Sequence, residues 1–477
     1  MARIKGGRLD FLAPHLLRSQ LLRPGFVRLS LRLGAAQQMP EWAKLQFTNF
    51  GVPRADLDRV LGRVSSLDSW VNQWEGLGRE REQRGHELLA RGERAEAAEC
   101  YVQASAAYNF AQYVMFLDIA RKRSLHQSCV RAYAAAAPML DPPAEPFEVL
   151  FRRQPMRGYL RMPRGARPAP VVVIINGTNA VKEELHWWSG ALLERGIATI
   201  AFDGPGMGQT FHRMSMVAEP RPVGTAILDE IERRPELDPR AVGLMGMSLG
   251  GYIAIRMAAH DRRVRAVACV SPPYSADIYW NVTLASMRGE LAALSEMDER
   301  EMGRSIDRIT LAHVLERLRC PLLVSGGGHD LITPGEEAWR IFRDARSERE
   351  IVYYPRGAHD CFNVLGDLRP RVVRWFGARI TPRLIAPRGR AAAEGDGVEW
   401  TAAEAVDPDF AEALEGEPAP RRWERSAPQS RAARFSWPWG QPGDTHPEVV
   451  VERAAAEPQQ AGIAPPEAPD TPDMLAV

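Results

Sequence analysis

The chain has 477 residues, 45% hydrophobic and 25% charged, the balance of a globular protein long enough for two or three domains. Its 61 basic and 60 acidic residues nearly cancel, which excludes the one-sided positive field of a nucleic-acid binder. Five scattered cysteines with no C-x-x-C pair exclude a disulfide framework or a zinc site and fit a reducing cytoplasm.

Residues 1–36 carry seven Lys/Arg against one acid, Asp10, and read as a weakly ordered basic N-terminal extension, with a targeting or surface-binding leader as the alternative. Arg18, Arg23, Arg28 and Arg32 interrupt every apolar run there, so no signal-peptide core forms. No stretch of the chain approaches the ~18 uninterrupted apolar residues of a membrane span, so an integral membrane segment is not expected.

From 37 to 140 the pattern is helical. Leu88, Leu89, Ala97, Ala98, Tyr101, Ala104, Ala107 and Tyr108 recur at three- and four-residue spacings around Gly92, which predicts an all-helical domain. One helix pair is similar to a tetratricopeptide unit, but no second copy follows at that period.

Asp141-Pro-Pro-Ala-Glu-Pro ends the helical region, and over 141–380 short apolar strands alternate with helices. "FEVLFR" and "RGYLRMP" predict a hairpin. Strands are then expected over 170–177, 197–206, 242–248, 264–273, 321–330 and 350–355. Helical patterns at 182–195, 223–234, 249–261 and 336–346 lie between them, so the sheet is expected to be mostly parallel and covered on both faces. The stretch 274–316 exceeds a crossover helix and predicts a helical insertion. Residues 381–477 hold 14 prolines without periodicity and read as a disordered tail, with Trp423, Trp437 and Trp439 as candidates for local docking.

The chemistry concentrates at "GLMGMSLGG", residues 243–251. A strand, a turn and a helix follow one another with Ser248 at the apex, the layout of a nucleophile elbow. Gly246 and Gly250 permit a backbone approach that a Cβ would block, and the helix N-terminus favours negative charge beside the serine. A serine hydroxyl needs a base, and the base needs an orienting acid, in the order acid then histidine after later strands. Asp330 closes "PLLVSGGGHD" and His359 follows the last predicted strand, so Ser248, Asp330 and His359 are the expected catalytic triad. Asp360, beside the histidine, reads as a cap for the next helix.

Two backbone donors should face the developing oxyanion: the N–H of Leu249 and that of Thr178, in the "NGTN" turn. Glu183 and Glu184 read as complements to the dipole of the following helix. "FDGPGMGQT" lacks the G-x-G-x-x-G spacing and any Gly-Lys-Ser/Thr, so it is a tight turn at the active edge and not a phosphate loop. No cofactor and no metal are expected.

Through "GMSLGG", "FDGPGMGQT", "GGGHD" and "GAH", residues 140–380 resemble the α/β-hydrolase fold, with an eight-stranded, mostly parallel sheet. The helical domain ahead, the "PPAEPFEV" junction and "INGTNAVKEE" make the layout similar to the fermentation-respiration-switch-like, 2,6-dihydroxypseudooxynicotine hydrolase-like group. The "NGTN" turn replaces that group's more usual Gly-Gly opening. The resemblance implies that helices 37–140 form a cap over the site, and that the substrate is a bulky carbonyl compound. In some members of the group a carbon–carbon bond next to a ketone is cleaved. Tyr108, Tyr113, Trp187, Trp188 and Tyr274 are candidates for the pocket wall, against core packing for most of them. A carboxylesterase or acyl-peptide hydrolase is the alternative, and a regulatory or binding protein on a hydrolase scaffold is the second. The expected partner is a small-molecule substrate, with a homodimer as an allowed assembly.

Overall fold

The computed structural model describes residues 24–113, 118–165, 167–178, 180–211, 213–214, 219–275, 300, 306, 309–330, 332–380 and 448–457. Most of the insertion expected over 274–316 therefore lies outside the described residues, as do Trp423, Trp437 and Trp439.

The N-terminal region folds as helices α1 (Pro24–Arg32), α2 (Glu41–Thr48), α3 (Arg54–Leu61), α4 (Leu67–Ala90), α5 (Arg94–Gln112) and α6 (Ile119–Ala136). Helix α1 and the buried Ala36 belong to the segment read as an extension, so its end is built into the helical region. Helix α4 begins with a reciprocal cap: Ser69 N–H donates to Ser66 Oγ (3.0 Å) and Ser66 N–H donates to Ser69 Oγ (2.8 Å). Its face toward α5 carries Gly78 and Gly85, seven residues apart. The rings of Tyr108 and Tyr101, also seven apart, lie where Cβ atoms on those glycines would stand, at 2.6 and 3.0 Å. Two small residues opposite two large ones let the helices pack closely.

The remaining chain forms one nine-stranded sheet in the order β1-β2-β4-β3-β5-β6-β7-β8-β9. Strands β1 (Ala144–Phe151) and β2 (Gln154–Arg161) are the predicted hairpin, closed through Arg152 and Arg153, both left-handed at φ 49° and 63°. The parallel centre comprises β3 (Ala169–Ile175), β4 (Ala198–Phe202), β5 (Leu237–Met247), β6 (Val264–Val270), β7 (Leu322–Gly327) and β8 (Arg349–Tyr354). All seven residues of β3 are buried, as a strand covered on both faces requires.

The final strand departs from the sequence reading. Val450–Ala454 (β9) pairs antiparallel with β8, although it lies inside the stretch assigned to a disordered tail. Its Val-Val pair supplies a short exposed edge strand. Arg453 binds Glu350 (2.8 Å), and Glu457 binds Arg349 (2.7 Å), contacts that composition does not reveal.

Helices α7 (His186–Leu193), α8 (Arg221–Glu232), α9 (Leu249–His260), α10 (Gly335–Asp344) and α11 (Leu365–Ile380) cover the sheet. The apolar core has two main parts. One joins α8, α9 and α10 to one sheet face. The other runs without a break from Phe47, Trp74 and Phe110 in the helical region to Val172, Ile174, Trp188 and Phe376. The helical region thus shares its core with the sheet.

Candidate active site

Ser248 stands between β5 and α9 at φ 51° and ψ −124°, a conformation strained for a residue with a Cβ. Its neighbours hold it there. Ser248 N–H donates to Val270 O at the end of β6 (2.8 Å), and Gly251 N–H donates back to Ser248 O (2.9 Å). A Cβ on Gly246 would meet Gly250 O at 2.1 Å, and one on Gly250 would meet Ile175 O at 2.3 Å. The two glycines are therefore needed for the chain to turn at all, and the serine is left half-buried at the tip.

Asp330 is buried beyond β7, and its Oδ1 accepts the N–H groups of Ile332 and Thr333, both at 2.8 Å. This turn aims the carboxylate at His359, whose Nδ1 lies 3.0 and 2.9 Å from its two oxygens. Asp330 and His359, 29 residues apart in sequence, are thus brought together as expected. Among the described residues no hydrogen bond joins Ser248 Oγ to His359 Nε2. That nitrogen faces Asp360 Oδ2 at 3.7 Å.

The reading of Asp360 as a helix cap is corrected here. Asp360 and Cys361 are both left-handed, at φ 52° and 51°, inside the 3-10 turn His359–Val364. Asp360 N–H donates to Ser271 Oγ (3.1 Å), and its carboxylate turns toward the Ser248 main chain and the imidazole. Burial opposes a charge on His359, but Asp330 and Asp360 outweigh it and push the imidazole up to about 9. Burial, with Asp330 adding to it against the pull of His359, pushes Asp360 up to about 6.

The chain is similar to several known proteins. The family model "Esterase FrsA-like" matches residues 54–291, and that for acetyl xylan esterase matches 224–377. 2,6-Dihydropseudooxynicotine hydrolase from Paenarthrobacter nicotinovorans is 29% identical over 339 residues, 70% of this chain and 90% of the relative. Hydrolyase poxO from Penicillium oxalicum is 28% identical over 338 residues, 59% of this chain and 80% of the relative. The crystal structure of a 2,6-dihydroxy-pseudo-oxynicotine hydrolase superposes with a TM-score of 0.66 at 26% identity, covering 71% of this chain and 95% of that one. The chain is an α/β-hydrolase of this group.

In this hydrolase the turn after β3 lies against Ser248. A Cβ on Gly177 would meet Ser248 Cβ at 3.3 Å, which places the adjoining Thr178 at the same edge as Leu249, the first residue of α9. The turn is tied down by Asp203, at the end of β4. Asp203 Oδ1 accepts from Asn176 Nδ2 (3.0 Å) and Lys182 N–H (2.9 Å), and Oδ2 accepts from Lys182 Nζ (3.1 Å) and Gln209 N–H (2.9 Å). "FDGPGMGQT" folds around this carboxylate, and Gly208 (φ +47°) has no room for a Cβ, which would stand 2.1 Å from Asp203 Cγ. Sequence reasoning missed this hub. Its only signal was an aspartate between an apolar strand and Gly-Pro-Gly.

Glu183 and Glu184 stand in the first turn of the 3-10 helix Lys182–Leu185, and both make side-chain contacts that the dipole reading did not foresee. Glu183 is buried 2.6 Å from Lys182 Nζ. His126, Glu183 and Asp203 bring donor atoms within 4.8 Å of one another, a group not foreseen from the sequence. The positive charge among them is the Lys182 ammonium, kept protonated because the two carboxylates outweigh its burial. Glu184 instead holds the helical region: its carboxylate accepts from Tyr113 OH (2.7 Å) and Asn109 Nδ2 (3.0 Å) of the α5 end. Burial, helped by Asp360 and opposed by those two donors, pushes Glu184 up to about 7.

A third tie joins Asn49 Nδ2 to Phe362 O (2.8 Å), with Trp42 stacked on Phe362. The helices thus grip both loops that flank Ser248. Of the aromatic candidates, Tyr108 and Trp188 are core, and Tyr274 OH donates to Asp344 (2.7 Å). Trp187 is 36% exposed and lines a cavity of about 220 Å³ between α5 and the start of α7, together with Gly51, Val102, Gln103 and His186. Among the described residues no helix is long and apolar enough to cross a membrane.

Proposed function

We propose that the protein is a serine hydrolase acting on bulky carbonyl compounds, including cleavage of a carbon–carbon bond beside a ketone. His359 Nε2 takes the proton of Ser248 Oγ as that oxygen adds to the substrate carbonyl carbon. The N–H groups of Leu249 and Thr178 stabilise the oxyanion. Collapse breaks the bond to the leaving carbon, which departs with the electron pair and receives the proton from His359 Nε2. Water, activated by the same imidazole, then releases the acyl group from Ser248.

The observation that carries this reading is the strained Ser248 at the strand-to-helix turn, with the Asp330–His359 pair formed by the segments after β7 and β8. Helices packed over both loops support a roofed site. A roof excludes water and lets binding energy remote from the reacting bond hold a poor leaving group in line. A carboxylesterase is the second reading, favoured by the two esterase family matches. Five buried free thiols support a cytoplasmic setting.

The discriminating experiment is a panel of aryl ketones, 1,3-diketones, aryl esters and peptides with product analysis, using Ser248→Ala as control. Carbon–carbon products that vanish in the variant are expected. Turnover of short esters alone would leave the carboxylesterase.

A further inference from the structure

The two nitrogens of His359 meet two different carboxylates, and only one belongs to the triad. Asp330 holds Nδ1 through a short, doubly supported contact. Asp360 faces Nε2 at 3.7 Å, on the side from which Ser248 must be reached. Its position is built: two consecutive left-handed residues and the bond from Asp360 N–H to Ser271 Oγ turn the side chain inward. Asp360 Oδ1 is shielded from solvent and has no hydrogen-bond partner among the described residues. A buried carboxylate oxygen without a donor is costly, so such an arrangement calls for a compensating interaction.

We propose that Asp360 is a positioning residue that holds the protonated imidazole of His359 in the resting enzyme and so sets the pH at which Ser248 becomes nucleophilic. The inference rests on the serine-hydrolase reading. At rest, the Nε2 proton of the imidazolium points to Asp360. Loss of that proton to solvent leaves a neutral ring with Nδ1–H on Asp330 and a lone pair on Nε2 for the Ser248 hydroxyl. During turnover the Nε2 proton re-forms, and Asp360 competes for it with the leaving group.

The groups around this pair reinforce the effect. Asp330 approaches from the end of β7. Glu184 lies within electrostatic reach of Asp360 from the 3-10 turn Lys182–Leu185, and Tyr113 does so from the end of α5. Burial keeps the Cys361 thiol neutral. From α2 the contact is the ring of Trp42 on Phe362, while Glu41 and Lys44 pair with Arg54 and Asp58. In α11, Asp367 pairs with Arg371, and Arg369 stacks on Trp188. None of these interactions brings a cation to His359, so carboxylates dominate its surroundings.

The test uses the full chain and a fluorophosphonate, because inactivation reads Ser248 without a known substrate. The second-order rate is measured from pH 5 to 10 in wild type, Asp360→Asn and Asp360→Gly. Asparagine and glycine both tolerate the left-handed backbone, so either variant can keep the turn. The wild-type rate should climb through an alkaline limb. In the variants that limb should move about one unit or more toward acid, raising the rate at pH 6.5 about tenfold. A limb that stays in place, or moves toward alkali, overturns the proposal while leaving the nucleophile intact. Absence of labelling at every pH in wild type overturns the serine reading itself, and this proposal with it.

Discussion

The strand-to-helix turn at Ser248 and the helices packed above it are held by different kinds of force. Around the serine the constraints are steric and short-ranged: glycines where no Cβ fits, and main-chain bonds from neighbouring strand ends. Between helices and sheet the constraints are a shared apolar core plus a few polar ties to side loops. The first kind fixes atoms to tenths of an ångström and tolerates no substitution. The second fixes whole elements and yields by degrees. Reactive geometry therefore resides in the sheet, and the helices act by holding the two loops that flank it.

Removing residues 1–140 would break this comparison most severely. The deletion strips Phe47, Trp74 and Phe110 from a core they share with Val172 and Ile174, exposing a large apolar face. Aggregation or loss of cooperative melting is expected in calorimetry. A soluble, cooperatively melting product would mean that the helices are a detachable lid.

Gly250→Ala probes the steric side. Its Cβ would stand 2.3 and 2.4 Å from two main-chain oxygens, so the elbow or the Asn176 turn must move. A displacement near 1 Å at a reacting group costs about a hundredfold in rate. A fall of that size in kcat/KM is expected, with far less change in Tm than the cap deletion causes.

Tyr113→Phe and Glu184→Gln sharpen the polar side. Removing a donor to a buried carboxylate costs roughly 1.5–3 kcal/mol, which a melting scan resolves. Glu184 also gives a pH signature. Its carboxyl is pushed up to about 7 from an ordinary 4.5, so the folded state holds the proton more tightly than the unfolded chain does. Its contribution to stability is present at acid pH and is lost as pH rises from 4.5 through 7. The Tm gap between wild type and Glu184→Gln should narrow across that window. A constant gap would contradict the assignment.

Truncation after Pro382 tests the edge strand and carries the smallest effect. It removes β9 with the Arg349–Glu457 and Arg453–Glu350 pairs, each of which joins a buried residue of β8 to a more exposed partner from the strand end. A drop of about 2–4 °C in Tm is expected, near 1 kcal/mol. Truncation after Glu457 should leave Tm unchanged, whereas equal values for both truncations would argue against β9 pairing.

These contrasts also explain what could be read from the sequence. The parallel strands were legible because each is a continuous apolar run, and the elbow because its glycines and serine are adjacent in the chain. The Asp330–His359 pair was legible through order and strand ends. By contrast, Asp203, Lys182 and Glu184 exert their effects through partners 21 to 75 residues away, and nothing local to them distinguishes a hub from a solvated charge. Asp360 was misread for the same reason: a left-handed pair without glycine has no compositional signal. Strand β9 escaped because five residues in a proline-rich background cannot show a period.

The most direct measurement is fluorophosphonate labelling followed by peptide mapping of the intact protein at pH 9. One label per chain on the peptide containing Ser248 is expected, abolished in Ser248→Ala and strongly slowed in His359→Ala. Removal of the nucleophile or its base leaves only binding and oxyanion effects, a loss of several orders of magnitude. A label on another residue, or labelling of Ser248→Ala at the wild-type rate, would contradict the assignment of the nucleophile.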